Sequence, residues 1–396
     1  MNCNHKIENT SYYQSVEKIP SDVWDQLDCT KNIYFHPSYL ISLEKNNPHL
    51  TFFYVVLKDI HQKAIAFASA QIIDFHIDAT SDESKNITNT VIHYARKLRV
   101  LPKEKPIKIL SCGNTFVSGE HGIFIRKEQN KKAIVRKLAK EISTYSQEKY
   151  SQYPIDIFIM KDFVEQSLPV TNELISLGYY AFNVEPNMKL TVSPHWNSFN
   201  DYLSTLKTKF RVKAKRALEL SKELLVQNIT SDNIKNQLQE MTQLYKRVAS
   251  KADFNLGEFK LDSYIDLKAK LGDDYILKSY WLEGKMVGFM SGIINQKSLD
   301  AHFVGIDYEL NKQFAIYQRM LYDYIDLAIS KNMSTLNFGR TASEIKSSVG
   351  AVPEHLTVYI RHKKSITNKF LRLFLLRIQP TEFNQKFPFK IQEENR

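Results

Sequence analysis

The sequence predicts an α+β fold in which one unit is built twice, and three observations carry that prediction. Two proline-containing segments, VEPNMKLTV (184–192) and VPEHLTV (352–358), each close a stretch laid out to a common plan. Each stretch opens with a pair of apolar strands, FFYVVLKDIHQKAIAFASAQII (52–73) in the first and YILKSYWLEGKMVGFMSGII (275–294) in the second. Between the opening pair and the closing strand, each passes through a long helix, a buried strand and a short helix. The plan gives two lobes, each a mixed, mostly antiparallel sheet flanked by helices, with a cleft between them suited to a long substrate.

Residues 1–50 are polar with scattered aromatics and predict the first helices and an opening loop. The insertion DATSDESKNITNT (78–90) is polar and reads as a loop. KILSC (108–112) predicts a strand, and KKAIVRKLAKEISTYS (131–146) repeats apolar residues at helical spacing. IDIFIM (155–160) predicts a buried strand, and NELISLGYY (172–180) a helix stopped by Gly178. SFNDYLSTLKTKFRVKAKRALELS (198–221) predicts one basic helix with Ser198 and Asp201 as its capping box. Residues 233–250 place Leu238, Met241, Leu244, Tyr245 and Val248 on one helical face. Strands at 275–282 and 286–294 meet in a hairpin turn at Glu283-Gly284-Lys285. The second of them, MVGFMSGII, has little polar alternation and belongs at the centre of the sheet. LDAHFVGI (299–306) is the next strand, and 313–331 a helix with Tyr317, Met320, Leu321, Tyr324 and Ala328 on one face. STLNFG (334–339) is a buried strand, two short helical turns follow, and HLTVYIRH (355–362) is the last strand. A helix between the final parallel strands splays them and opens a slot in the sheet. Tyr280, Trp281, Phe289 and Phe303 read as core.

The chain has 396 residues, enough for two or three packed units, and its 43% hydrophobic and 12% aromatic content excludes a disordered chain. The formal charge of +11 favours an anionic partner: RNA, a phosphorylated cofactor, an acidic carrier protein or a membrane face. Lysine-rich composition of AT-rich coding sequence gives the same sign. Cys3, Cys29 and Cys112 have the spacing of neither a disulfide framework nor a zinc site, so no metal is expected and a reduced cytoplasm is. The N-terminus MNCNHKIENTSYY lacks the apolar core of an export signal, and no run reaches the roughly 20 apolar residues that span a bilayer.

Three stretches carry a resemblance to the GNAT acyltransferase superfamily, and within it to the tandem-GNAT group of Fem-type peptidyltransferases and related N-acyltransferases. SFNDYLSTLKTKFRVKAKRALELS (198–221) is similar to the basic helix that opens the group's second lobe. LNFGRTASEIKSSVGAVPEHLTVYI (336–360) resembles the group's strand, Phe-Gly-Arg-Thr/Ser turn and Lys-containing helix before the last strand. The two-lobe order is the third. The resemblance implies lobes at 1–195 and 196–362, the second catalytic, and a basic tail at 363–396. It implies an enzyme that moves an acyl group from acyl-CoA or an acyl carrier protein to a primary amine, with no permanently bound cofactor. Single-lobe GNAT enzymes cradle the CoA pyrophosphate in a glycine-rich turn at a helix N-terminus. The corresponding loop here, DYELNKQFAIYQ (307–318), has no glycine, which leaves the donor's carrier open.

His302 is the candidate base, on the strand that the resemblance places beside the donor. With period-2 alternation Asp300, His302 and Val304 share a face, so that Asp300 orients the imidazole. The backbone at Val304 and Ile306, with Lys312 and Gln313, is the candidate donor site. Arg340 emerges at the end of the buried strand, and Lys346 lies one or two turns into the next helix. Both suit a phosphate or carboxylate, with Asn337 and Ser343 as polar neighbours. Glu344 is an alternative ion-pair partner for Lys346. In the basic helix, Lys207, Arg211 and Lys215 form a row at i+4 spacing, with Lys209 and Lys213 starting another. The face is either solvated or meets a tRNA, a carrier protein or a lipid phosphate.

No acidic residue lies between His355 and Thr381, while Arg361, Lys363, Lys364, Lys369, Arg372 and Arg377 surround Ile366, Phe370, Leu371, Leu373, Phe374, Leu375 and Ile378. Such a segment (363–378) lies in a headgroup plane, each basic residue contributing about 1 kcal/mol near anionic lipid, or packs on the second lobe. The acceptor expected on this basis is a lipid-like or cell-envelope amine, the location the cytoplasm or the inner membrane face, and DNA is not an expected partner. Two other readings stand beside this one: a Fem-type transfer from aminoacyl-tRNA to a peptidoglycan precursor, and a non-catalytic protein that binds anionic lipid or RNA.

Overall fold

The computed structural model describes residues 7–75, 106–251, 256–375 and 381–390. The insertion at 78–90 and residues 376–378 of the tail lie outside them, as do the side chains of Leu373 and Phe374. The chain runs β1 (Ile7–Tyr13), α1 (Ser21–Leu27), α2 (Pro37–Asn46), β2 (Leu50–Asp59), β3 (Ala64–Phe75), β4 (Ile107–Cys112), β5 (Ile123–Ile125), α3 (Lys131–Lys149), β6 (Ile157–Val164), α4 (Leu168–Thr171) and β7 (Tyr180–Thr191). It continues through α5 (Phe199–Thr205), α6 (Thr208–Leu220), β8 (Leu225–Asn228), α7 (Ile234–Ala249), α8 (Ser263–Leu271), β9 (Tyr275–Leu282), β10 (Lys285–Asn295) and β11 (Ser298–Ile306). The last elements are α9 (Tyr308–Phe314), α10 (Ile316–Ser330), β12 (Thr335–Asn337), α11 (Ser343–Ser347), β13 (Val352–His362) and α12 (Ser365–Leu375).

The strands form one sheet in the order β1-β2-β3-β4-β6-β13-β7-β12-β11-β10-β9-β8, with β5 beside β3. The order reads the same from both ends. β1 to β4 and β6 of the first half match β8 to β11 and β12 of the second. The parallel pairs are β4/β6 and β11/β12. The two proline-containing strands, β7 and β13, meet in the middle, antiparallel, with Leu356 opposite Val184. Each has crossed over: β13 pairs with β6 of the first half, and β7 with β12 of the second. A boundary near residue 195 therefore divides the chain without dividing the sheet.

Alternation within the strands sets the layers. In β2, Phe52, Tyr54 and Val56 pack on one face, and Phe53, Val55 and Leu57 on the other. The first face carries a core common to both halves, built by α1 and α2 with α7 and α8. Asn47 ties this layer across the halves, donating to Ser263 Oγ at 2.9 Å and accepting from the Lys260 N–H at 3.0 Å. The opposite face carries two separate cores, one under α3 and one under α5, α6 and α10. The β9–β10 hairpin turns at Glu283 (φ 49°) and Gly284 (φ 79°), the left-handed pair that matches strand twist.

Two expectations change. Residues 198–221 form two helices. Ser198 and Asp201 make the capping box of α5, but Leu206 and Lys207 are extended, and the chain restarts as α6. The break is held from the tail: the Lys207 N–H donates to the Pro388 carbonyl at 2.8 Å and the Lys390 N–H to the Thr205 carbonyl at 2.9 Å. The tail itself is divided. Helix α12 packs on the first half, where Asn368 donates to the Gly178 carbonyl at 2.8 Å, while 381–390 straps the second half. The edge strands β1 and β8, the small β5 and helix α8 carry too weak an apolar signal to be read from sequence. Among the described residues no helix is long and apolar enough to cross a membrane.

Candidate active site

Strands β11 and β12 run together for three residues, from Ser298/Thr335 to Asp300/Asn337, and then part. The chain after β12 stays with β7: the Phe338 N–H donates to the Met188 carbonyl (2.8 Å) and the Met188 N–H to the Gly339 carbonyl (3.1 Å). Among the described residues no strand lies beside β11 beyond Asp300 on this side. On the β10 side, Phe303 exchanges both backbone bonds with Ser291 Oγ, and the Asp307 N–H donates to the Val287 carbonyl. Backbone direction alternates along a strand, so the N–H groups of Val304 and Ile306 face the open side. The first half has the same fork between β4 and β6, but there it is filled. The Lys161 ammonium crosses it to the carbonyls of Asn114 (2.5 Å) and Val117 (3.1 Å). Gly113 (φ 136°) lies so close that a Cβ would sit 2.3 Å from Lys161 Cγ.

A bulge at His302–Phe303, opposite Ser291, resets the faces of β11. Both side chains turn toward the common core, and Val304 packs on the opposite face. Asp300, His302 and Val304 do not share a face as strict alternation would have it. Nor does Asp300 orient His302. Its carboxylate accepts from Tyr34 (2.7 Å), Ser298 (2.7 Å) and Asn337 (2.5 Å). The His302 ring sits among Phe259, Phe303, Tyr264 and Tyr275, with Nδ1 3.4 Å from the Tyr275 hydroxyl and Nε2 enclosed without a partner among the described residues. Burial pushes its pKa down to about 3, so the ring is neutral.

Arg340 reaches across the centre of the sheet to Asp162 in the first half. Asp162 is fully buried, adopts φ 69° and also holds Lys161 at 2.9 Å. Burial works to raise the Asp162 carboxyl, but Lys161 and Arg340 together hold it below the usual carboxylate range. One arm of Arg340 is thus committed to a clamp between the halves, while its Nε is enclosed and unpartnered. Lys346 points inward, to the carbonyls of Arg340 (2.6 Å) and Gly339 (3.2 Å). It pins a turn in which Gly339, Thr341 and Ala342 all have positive φ, and it positions Arg340 rather than facing an open anion site. Burial without a carboxylate partner pushes its pKa down to about 7. Glu344 pairs with Lys386 at 2.8 Å and not with Lys346. Ser343 is buried at the start of α11. Lys312 and Gln313 are exposed on the last turn of α9.

Several residues join the site that sequence reasoning missed. His121 lies against Tyr34, with ring centroids 3.9 Å apart and the planes tilted by 37°. Its Nε2 lies 3.2 Å from the Ser118 carbonyl, which makes Nε2 the donor and leaves the Nδ1 lone pair, enclosed and unpartnered. Burial, partly opposed by the Asp300 carboxylate, lowers its pKa to about 4. Asn187 on β7 donates to Asn337 at 3.4 Å and keeps an unpartnered, enclosed carbonyl oxygen. The signal for Lys161 and Asp162 was two charges continuing an apolar strand, IFIMKD. His121, in a loop between glycines, and Asn187 had none. Among the described residues no cluster could hold a metal ion. A surface hollow lined by Gln14, Glu44, Leu50, Thr51, Phe52 and Tyr150 touches none of these residues.

No protein-family model and no curated protein matches the chain. Solved structures do. FemX aligns over 84% of this chain and 92% of its own, at 11% identity and a TM-score of 0.51. L-PGS from Bacillus licheniformis aligns over 90% and 96%, at 11% identity and 0.52. A tandem GNAT protein from the clavulanic acid biosynthesis pathway aligns over 89% and 98%, at 8% identity and 0.52. With two matching halves in one sheet, a fork in each and near-complete coverage of these structures, the chain has the tandem-GNAT fold of the Fem type.

Proposed function

We propose that the protein is an N-acyltransferase, moving an acyl group from an activated thioester, carried by CoA or an acyl carrier protein, to a primary amine. One observation carries this reading: Lys161 crosses the fork in the first half, whereas in the second no described strand pairs with β11 beyond Asp300, and the Val304 and Ile306 N–H groups line that edge. An extended donor arm with amide groups can add there as a further strand does. The fork then presents the thioester carbonyl beside the bulge at His302. The amine nitrogen attacks the carbonyl carbon and forms the C–N bond. The tetrahedral adduct collapses, the C–S bond breaks, and the thiolate leaves and takes up a proton. The nitrogen's own proton must go to a base, and its acidity rises steeply once the C–N bond forms. His302 is the proposed base, neutral and with Nε2 unpartnered. Holding both reactants in line supplies as much as about 7–11 kcal/mol in the most favourable intramolecular cases. Arg340 and Asn187, each with a polar atom unpartnered among the described residues, are proposed to receive the acceptor.

A lipid-like or envelope acceptor is supported by α12, whose Ile366 and Phe370 are 74% and 50% exposed beside exposed Lys364, Lys369 and Arg372. The likeness to FemX and L-PGS agrees with a transferase working on acyl or aminoacyl groups. The test is to incubate the protein with labelled acyl-CoA, acyl carrier protein or aminoacyl-tRNA and a membrane extract, and to follow the label. Transfer from either thioester donor is expected. Label moving from aminoacyl-tRNA alone would make it a Fem-type aminoacyl transferase instead, and no transfer from any donor would end the enzyme reading. His302→Ala should lower kcat/KM by about 10²–10⁴; undiminished transfer removes the base.

A further inference from the structure

Helix α6 presents an unneutralised face. Lys209, Lys213, Lys215 and Arg216 are exposed, and none has an ion-pair partner among the described residues. Val212, 59% exposed, lies between Lys215 on one side and Arg216 and Lys209 on the other around the helix. Ala214 and Ala217 fix the opposite side in the core. Repulsion between the cations costs each pair about 0.2–0.5 kcal/mol, which an anionic partner offsets. The helix packs against α9 and α10, and α9 follows directly from the open edge of β11. Where a CoA pyrophosphate cradle would form, the chain instead folds as α9. The Tyr317 N–H in the first turn of α10 is already satisfied by Asn311 Oδ1 at 2.8 Å.

We propose that α6 docks a small acidic carrier protein, which delivers the acyl group on a flexible thioester arm into the fork between β11 and β12. This rests on the acyltransfer reading above and chooses its donor. An apolar centre ringed by charge is the anatomy of a protein interface. A nucleic-acid backbone offers nothing to Val212, and one exposed valine is too little apolar surface to seat a helix in a bilayer. Opposite charge steers the encounter and makes it sensitive to salt.

The experiment compares octanoyl acyl carrier protein with octanoyl-CoA, using the full chain and a Lys209→Glu/Lys213→Glu/Arg216→Glu variant checked for unchanged circular dichroism. The expected result is calorimetric binding of the carrier protein that weakens tenfold or more in the variant and with 0.5 M salt in the wild type. KM for the carrier-bound donor should rise by the same factor, while KM for octanoyl-CoA stays within twofold. A Val212→Asp variant should reproduce the loss. Absence of carrier binding, binding indifferent to the reversal, or an equal rise in KM for octanoyl-CoA overturns the proposal. So does a charge-dependent loss seen with tRNA or with anionic vesicles and not with the carrier. Should no donor be turned over, the acyltransfer reading fails, and the binding arm still decides the surface.

Discussion

Asp162 is gripped by two cations from different halves of the chain and is itself shut off from solvent. Replacing it by Asn leaves the Lys161 ammonium buried over the fork with only carbonyl partners. Breaking a buried pair in this way costs about 3–5 kcal/mol. The midpoint of urea unfolding should fall accordingly, and a loss below about 1 kcal/mol would show that Lys161 escapes to water. Lys346 makes a prediction with a sign. Its folded pKa of about 7 lies below the usual 10.5, so the folded state gives up the proton first. Below pH 7 both states are charged, and the cost of burying the ammonium is fully present. From about pH 7 to 10.5 the unfolded state binds more protons, so stability rises with pH. Unfolding curves across that window should show the rise in the wild type and lack it in Lys346→Met. His302 is neutral throughout, so the acid limb of kcat/KM should follow the pKa of the amine substrate. A limb that moves in His302→Gln but not with a change of amine would contradict this.

The elements that were easy to read are those whose apolar spacing is strong. The hairpin β9–β10, helix α10 and the buried strands β4, β6 and β12 declare themselves, because a core-facing side of fixed period dictates residue type. The strap at 381–390 shows what such periodicity misses. It has no regular pattern, yet Phe389 packs on Trp196 and Tyr202 and fills the space above Gly350. Gly350 has φ 107°, and a Cβ there would lie 2.3 Å from the Phe389 ring. Gly350→Ala combines backbone strain with overpacking and should destabilise by about 1–3 kcal/mol. Thermal unfolding of this variant beside Phe389→Ala separates the two effects, because the double variant relieves the clash and keeps the strain. If Gly350→Ala costs as much in the Phe389→Ala background as in the wild type, strain alone accounts for the loss.

At the scale of the molecule the exchange of β7 and β13 makes each half incomplete. The first half alone exposes the edge of β6 and loses both Arg340 and half of the common core. Residues 1–195 expressed by themselves should therefore not fold, and the full chain should unfold in one transition. A folded, monomeric first half, judged by amide dispersion in NMR, would refute this.

The duplicated plan, the order of elements and the expectation of a splayed pair were legible, because alternation and helical spacing are local properties. The positions of Arg340 and Lys346 just after a buried strand were legible as well. The partners of these groups were decided elsewhere. Asp162 lies 178 positions from Arg340 in sequence, and no local pattern encodes that meeting. The bulge that puts Val304 on the face opposite His302 depends on Ser291 of the neighbouring strand. Which fork is crossed by a side chain depends on the reach of one lysine. Local periodicity fixes what a segment becomes, whereas the site is assembled from contacts between segments, and those exist only once the sheet has closed its centre.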